Sequence, residues 1–287
     1  MYLREFDPWG FPLCTCPKKY SVDPYTGCAH GCIYCYASSY IKDFRNPRPK
    51  RDFLRVFERE VRKKKGEIAY VSMSNSSDPY QPLEKTHRLT RGALQILKKY
   101  DVPVLLLTKS NLVLRDIDIL KEMKVAVSIT ITTLDEQLAS KLEPFAPPPT
   151  DRIYALKTLA KEGISTIARI DPLIPFINLD VEELIREVKN AGVKHVVFST
   201  YKAKKDNFSR VASEFPELKE KLKEIYYRKG ESIRGIRYAP RKMRYEILRK
   251  ATEIALEYGL TVGYCREGFS FPAPTCDGSY LIFERSN

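Results

Sequence analysis

Cys28-Ala29-His30-Gly31-Cys32-Ile33-Tyr34-Cys35-Tyr36 is the stretch from which the rest of this chain is read. Its three thiols follow the spacing C-x3-C-x2-C. Soft thiolates hold iron–sulfur clusters, and a [4Fe–4S] cluster ordinarily takes four of them. Three in one compact loop leave one iron without a protein ligand, open to a substrate or cofactor. Structural zinc sites usually present two separated pairs of ligands, which this single loop does not. Zinc with His30 as fourth ligand is the competing reading.

The chain has 287 residues, of which 43% are hydrophobic and 30% charged, as in a globular protein with a sizeable core. No run approaches the eighteen apolar residues of a membrane span, and Met1 to Gly10 lacks the apolar stretch of a secretory leader. A cytoplasmic protein with no membrane partner is expected. Seven cysteines, clustered towards both ends, suit metal binding or catalysis better than a disulfide framework in a reducing compartment. Gln is scarce beside abundant Lys and Glu, a bias seen in proteins of hot-living organisms.

The net charge of +13 is concentrated. Residues 42–65 carry eleven Lys/Arg against four Asp/Glu, and residues 202–250 sixteen against seven. Two such basic segments point to a polyanionic partner, DNA or RNA, because phosphate contacts release condensed counterions. A solvated lysine-rich surface is the plainer alternative.

Apolar runs alternate with helical patterns along most of the chain. Strands are expected at Tyr20 to Asp23, Ile68 to Met73, Val102 to Leu107, Val125 to Ile131, Ile164 to Ile170 and Val193 to Ser199. Helices are expected from Tyr36 to Asn46, from an Asp52 cap to Lys65, and over Thr86 to Lys99 and Leu112 to Met123. Further helices are expected at Leu134 to Glu143, after a Thr150 cap, and at Val181 to Asn190. This order predicts an α/β fold, a parallel sheet curled into a partial (β/α)6 TIM-like barrel, with an open doubly wound sheet as the competing architecture. Three regions result: an irregular segment at 1–19, the barrel at 20–201, and a mainly helical, basic C-terminal extension at 202–287. That extension is expected to hold long helices at Glu214 to Arg228 and Arg241 to Tyr258, a last strand at Leu260 to Cys265, and a Cys-containing tail.

The cysteine spacing, with the aromatic Tyr34 before the third thiol, resembles the signature of the radical S-adenosylmethionine (SAM) superfamily. Asp23 to Ala37, Ser77-Asp78-Pro79-Tyr80-Gln81-Pro82-Leu83-Glu84 and Leu107-Thr108-Lys109-Ser110 are similar to its spore photoproduct lyase-like branch, many of whose members are labelled DNA repair photolyases by similarity. The resemblance covers roughly residues 20–200. It implies a partial (β/α)6 barrel in which Cys28, Cys32 and Cys35 hold a [4Fe–4S] cluster and SAM binds the fourth iron. Reduction by a reductase or ferredoxin-type donor would then yield a 5′-deoxyadenosyl radical that abstracts hydrogen. By motif position Ser77, Asp78, Lys109 and Ser128 are the implied SAM-binding residues, with Lys109 pairing with the methionyl carboxylate.

One position departs from the branch. Where spore photoproduct lyase has a hydrogen-donating cysteine this chain has Asn75, and no cysteine lies between Cys35 and Cys265. Tyr34, Tyr36 and Tyr80 are candidate hydrogen-atom relays in its place. Arg169 and Asp171, at a strand end, are candidate substrate contacts; His87 and His195 read as structural. The four remaining thiols, Cys14, Cys16, Cys265 and Cys276, are either unrelated or a second site for a [4Fe–4S] cluster or zinc. Tyr226-Tyr227 and Arg237-Tyr238 are candidates for stacking on bases. The predicted function is hydrogen abstraction from a nucleotide in DNA or RNA. The alternatives are a non-catalytic nucleic-acid-binding iron–sulfur protein, or a radical SAM enzyme acting on a peptide or small metabolite.

Overall fold

The computed structural model describes residues 1–7 and 10–284. One eight-stranded sheet organises them: β1 (Arg4–Glu5), β2 (Tyr20–Val22), β3 (Val71–Met73), β4 (Val104–Thr108), β5 (Val125–Thr130), β6 (Ser165–Leu173), β7 (His195–Thr200) and β8 (Thr261–Tyr264). The strands lie in the sheet in chain order. β1 is antiparallel to β2, and every later pairing is parallel. Among the described residues the two edges, β1 and β8, do not pair, so the barrel is open.

Both faces of β4 to β7 are covered, which is why these strands read as near-continuous apolar runs. Val104, Leu106, Val127, Ile129 and Phe198 face outward into the core beneath the helices. The longer helices among the described residues are α1 (Phe53–Lys64), α2 (Leu89–Lys99), α3 (Glu136–Leu142), α4 (Pro149–Lys161), α5 (Glu182–Asn190), α6 (Lys205–Glu214) and α7 (Arg241–Glu257); α1, α2, α4, α5 and α7 cover this core, while α3 and α6 pack on a second cluster around Tyr201 and Tyr226. Leu105, Ala126, Ile167 and Val197 face inward, where they meet Leu281 and Ile282 of the tail. The tail plugs the barrel. Its Ser279–Ile282 turn is anchored where Ser165 Oγ donates to the Leu281 carbonyl at 3.2 Å. Gly263 on β8 permits this seating, since a Cβ there would stand 2.3 Å from the Cys276 carbonyl oxygen.

The region expected as an extension therefore returns to the sheet. β8 pairs with β7, α7 packs over the outside of the barrel, and a hairpin joins Glu231–Ile233 to Ile236–Tyr238. Several expected helices are shorter or broken. Residues after Tyr36 form only a 3-10 turn, Ala37–Ser39, because the loop turns back to pair Arg48 with Thr26. Asp52 precedes α1 in a left-handed conformation, φ 51°, and does not cap it with its side chain. Arg88, φ 49°, splits the expected Thr86 to Lys99 helix into Glu84–His87 and α2. Leu112 to Met123 forms a 3-10 stretch, Asn111–Asp116, and one turn at Ile117–Leu120. Pro149, not a Thr150 cap, opens α4, its fixed φ suiting the first helical position. The expected Glu214 to Arg228 helix is interrupted by Pro216 and closes in a π turn at Glu224–Arg228. Among the described residues no helix is long and apolar enough to cross a membrane.

Candidate metal and cofactor site

All seven parallel strands direct their C-terminal ends at one cavity of about 910 Å³, through Asp23, Ser74, Lys109, Thr130, Asp171, Thr200 and Cys265. Cys28, Cys32 and Cys35 form part of its wall. The loop that carries them is clamped from several directions. Gln81 accepts from the Ala29 N–H at 3.0 Å and donates to the Gly27 carbonyl at 3.1 Å. Arg45 donates to the Gly31 carbonyl at 2.6 Å, and Arg210 to those of Ile33 and Cys35 at 3.0 and 2.9 Å. Asn207 donates to the Tyr34 carbonyl at 2.8 Å. Gly31 sits at φ +72°, with the Phe145 ring filling the place of a Cβ at 2.6 Å.

Beneath the loop lies a buried polar network. Glu143 accepts from the Tyr34 hydroxyl, pairs with Arg152, and stands 3.8 Å from the Lys109 ammonium. Burial opposes charge at Lys109, but Glu143 and Cys32 outweigh it and raise its pKa. Asp78 ties the next strand end to the loop. It accepts from Thr108 Oγ1 and the Lys109 N–H, both at 2.7 Å, and lies 3.3 Å from His30 Nε2. Burial opposes its ionisation, yet His30 and these hydrogen bonds hold the carboxyl below its ordinary value. Burial, aided by Asp78, pushes the Cys28 thiol up to about 12, and burial likewise raises Cys32. A metal bound there displaces those protons.

The remaining expected residues divide. Ser77 lines the cavity, donating to the Tyr25 carbonyl at 3.1 Å. Asn75 also lines it, its side chain turned back onto Ser72. Ser128 does not. Its hydroxyl is buried in β5 without a hydrogen-bond partner among the described residues, while Thr130, two residues along the same face, reaches the cavity. Tyr36 lines the wall, and its pKa is raised, chiefly by burial. Tyr80 is buried, with its hydroxyl on Asp116, and is not among the residues that line the cavity. Arg169 and Asp171 pair at 2.8 Å on the wall. His195 is a core residue bonded to Thr261 at 2.9 Å.

Cys16, Cys265 and Cys276 line the same cavity. Cys276 Sγ donates to Cys16 Sγ at 3.4 Å, and Cys14 also hydrogen-bonds Cys16. These two donors favour the thiolate at Cys16.

The aromatic candidates are corrected. Tyr226 and Tyr238 are fully buried, Tyr226 edge-on to Tyr201, and Tyr227 packs against Phe208. Tyr226 and Tyr227 build the core beneath α6, and Tyr238 packs with Phe11 and Ile236, instead of presenting faces to bases. Part of the basic 202–250 segment is internal too, because Lys202 and Arg244 both pair with the buried Glu267. Gln81 and Glu84 belong to the Ser77 to Glu84 motif, but their spacing there gives no hint of their roles. Glu84 accepts from the Tyr25 hydroxyl at 2.5 Å and Arg115 at 2.6 Å. Arg45, Asn207 and Arg210 carry no sequence signal.

The donor set fits a four-iron cluster. Among the described residues, only Cys16, Cys276 and Asp277 bring three ligand atoms within 4.8 Å of one another. The sulfurs of Cys28, Cys32 and Cys35 do not all lie within 4.8 Å of one another, which is compatible with thiolates that each bind a separate iron. The cavity beside them is within the usual range of small-molecule sites, about 300–1,000 Å³.

The sequence profile of the Radical SAM superfamily matches residues 22–188. An uncharacterized protein of Methanocaldococcus jannaschii is 39% identical over 174 residues, 60% of this chain and 66% of that protein. A radical SAM Nalpha-GlyT isomerase of Pseudomonas phage M6 is 25% identical over 182 residues, 61% of this chain and 38% of the isomerase. The chain thus spans just under two thirds of its archaeal relative. A variant of spore photoproduct lyase with bound AdoMet and dinucleoside spore photoproduct superposes with a TM-score of 0.64 at 16% identity, over 88% of this chain and 76% of that one. Streptococcus suis SuiB bound to precursor peptide SuiA gives 0.58 at 14%, over 85% and 47%. These two likenesses establish the fold. With a profile match over more than half its length, an open parallel barrel and a three-cysteine loop at the strand ends, the chain belongs to the radical SAM superfamily.

Proposed function

We propose that this chain is a cytoplasmic radical SAM enzyme that abstracts hydrogen from a nucleotide within DNA or RNA. The observation that carries the reading is the shared cavity, which joins the three loop thiols to polar residues at the ends of the parallel strands. Cys28, Cys32 and Cys35 would hold the cluster. With SAM on its open iron and an electron from a reductase or ferredoxin-type donor, the cluster supplies a carbon radical able to abstract hydrogen.

Ser77, Asp78 and Lys109 are the residues assigned to SAM. Lys109 stands 3.8 Å from Glu143, outside hydrogen-bond range, so its ammonium keeps donors for a carboxylate. Asp78 acts through position, fixing Lys109 relative to the cluster loop. Thr130 replaces Ser128 on the cavity wall. Asn75 has no abstractable thiol hydrogen, and Tyr34 is committed to Glu143. Tyr36 is therefore the relay in this reading.

A nucleic-acid substrate is supported by the exposed arginines Arg51 and Arg55, and by the dinucleoside ligand of the structurally similar lyase. The test is anaerobic reconstitution with dithionite and SAM, first alone and then with deuterated DNA, RNA or peptide. The reading expects 5′-deoxyadenosine that carries deuterium from nucleic acid. No cleavage by a loaded cluster overturns the enzyme, and deuterium from peptide alone overturns the substrate.

A further inference from the structure

We propose that Cys16, Cys276 and Asp277 hold one divalent metal ion of the zinc class, with its fourth coordination position open to the cavity. The site shares no ligand with the Cys28–Cys35 loop, so it stands or falls separately from the radical reading.

Position alone makes these three side chains a ligand set. One ligand atom from each lies within 4.8 Å of the other two. Cys16 Sγ and Cys276 Sγ stand 3.4 Å apart although 260 positions separate them in the chain. Zinc–thiolate bonds of about 2.3 Å at tetrahedral angles set two sulfurs about 3.8 Å apart, so an ion enters with a small outward shift of the thiols. Neither Cys14 nor Cys265 comes within 4.8 Å of all three. The protein ligands are therefore two thiolates and a carboxylate.

Asp277 is oriented by hydrogen bonds, as metal-bound carboxylates are. Oδ2 accepts from Lys19 at 2.5 Å and from Tyr70 at 3.1 Å, and Oδ1 from the Ser279 N–H at 3.1 Å. A carboxylate offers about four acceptor positions, which leaves one on Oδ1 for an ion. The charges close as well. Two thiolates neutralise a dication, and the buried Lys19 ammonium already neutralises Asp277. A buried site without net charge avoids the penalty of an uncompensated one.

The backbone is shaped around this point. Cys276 is buried against β8, where Gly263 has no Cβ to strike its carbonyl. Gly278, φ +74°, turns the chain directly after Asp277, and a Cβ there would stand 2.7 Å from His195 Cδ2. Cys16 belongs to the segment between β1 and β2. An ion thus ties that segment to the plug beside β8, bridging the two ends of the open sheet. Four protein ligands are the pattern of structural zinc, and three with an open fourth position that of catalytic zinc. All three ligands line the cavity, so the open position takes water or a donor atom of a molecule bound there.

Metal analysis of the Cys28→Ala/Cys32→Ala/Cys35→Ala protein, purified anaerobically beside wild type, tests this. About one zinc per chain is expected in both, without iron or sulfide in the variant. Cys16→Ser, Cys276→Ser and Asp277→Asn should each lose most of the zinc, whereas Cys14→Ser and Cys265→Ser should keep it. Cobalt(II) in place of zinc should show thiolate charge-transfer and tetrahedral ligand-field bands, and added azide or imidazole should shift them. If a ligand variant does not fold, the cobalt spectrum of the parent protein decides. Iron with sulfide in the triple variant, a Cys16–Cys276 disulfide in a non-reduced peptide map, or metal-free folded wild type overturns the proposal. So does zinc lost from folded Cys14→Ser or Cys265→Ser protein, or a cobalt spectrum that azide and imidazole leave unmoved.

Discussion

Lys19 Nζ lies 2.5 Å from Asp277 Oδ2 inside the barrel, joining residues 258 positions apart. Both side chains are almost completely removed from solvent, so neither has water to fall back on. Breaking such a pair by removing one partner leaves an uncompensated buried charge, which costs about 3–5 kcal/mol. Lys19→Met should therefore lower unfolding free energy by that order in denaturant titrations. Lys19→Met/Asp277→Leu should recover part of the loss, because the orphan charge is gone.

Gln81 is fully buried and satisfies two backbone groups of the cysteine loop with one amide. Gln81→Ala leaves the Ala29 N–H and Gly27 carbonyl unpaired, at about 1–3 kcal/mol each. The expected outcome is a folded protein with several-fold less reconstituted iron, read by iron and sulfide content. Gln81→Glu should restore the acceptor to Ala29 but not the donor to Gly27.

Asp206 fastens the turn after Cys35 to α6, accepting from Ser38 at 2.7 Å, from Ser39, and from Arg210 at 3.0 Å. Burial opposes its ionisation, but Ser39, Ser38 and Arg210 lower the carboxyl from 3.8 to about 2. A depressed acid stabilises the fold above its unfolded pKa and loses that contribution as pH falls through the folded value. Because the side chain is about one-third exposed, the gain is below about 1 kcal/mol. Asp206→Asn should lower stability slightly at pH 7, with the difference from wild type shrinking between about pH 4 and pH 2.

The side chains of Arg51 and Arg55 are 96% and 78% exposed, whereas Lys202 is buried against Glu267. Replacing both arginines with alanine should reduce the salt slope of nucleic-acid binding by about 0.9 for each phosphate that is no longer neutralised. Melting temperature should barely move. Lys202→Met should do the reverse, unsettling the fold. Equal slopes for wild type and the double variant would exclude this face from binding.

Local patterns carry the parts of this fold that are local. The cysteine loop, the alternating strands and the Ser77 to Glu84 motif are each contiguous, so spacing alone exposes them. The clamps on the loop are not: Asn207 and Arg210 meet it across about 175 residues, in a segment whose charge reads as an external basic face. Tyr226 and Tyr238 mislead for a related reason. Flanking Arg and Lys suggest exposure, but the π turn and hairpin fold those rings inward and the charges outward. Ser128 shows the limit of motif transfer: the residue is where expected in β5, and Thr130 is the one that reaches the cavity. The helix expected after Tyr36 fails because Arg45, Arg48 and Phe44 are used to pin the cysteine loop instead.

The plug at Ser279–Ile282 also sets an order of events during synthesis. Seven parallel strands leave the ribosome before the side chains that fill their interior do. A nascent chain that has reached Tyr264 holds a hollow sheet, with Leu105, Ile167 and Val197 facing an unfilled bore. Translation past Ile282 is what closes it, so the cysteine loop is made first and the floor of its cavity last.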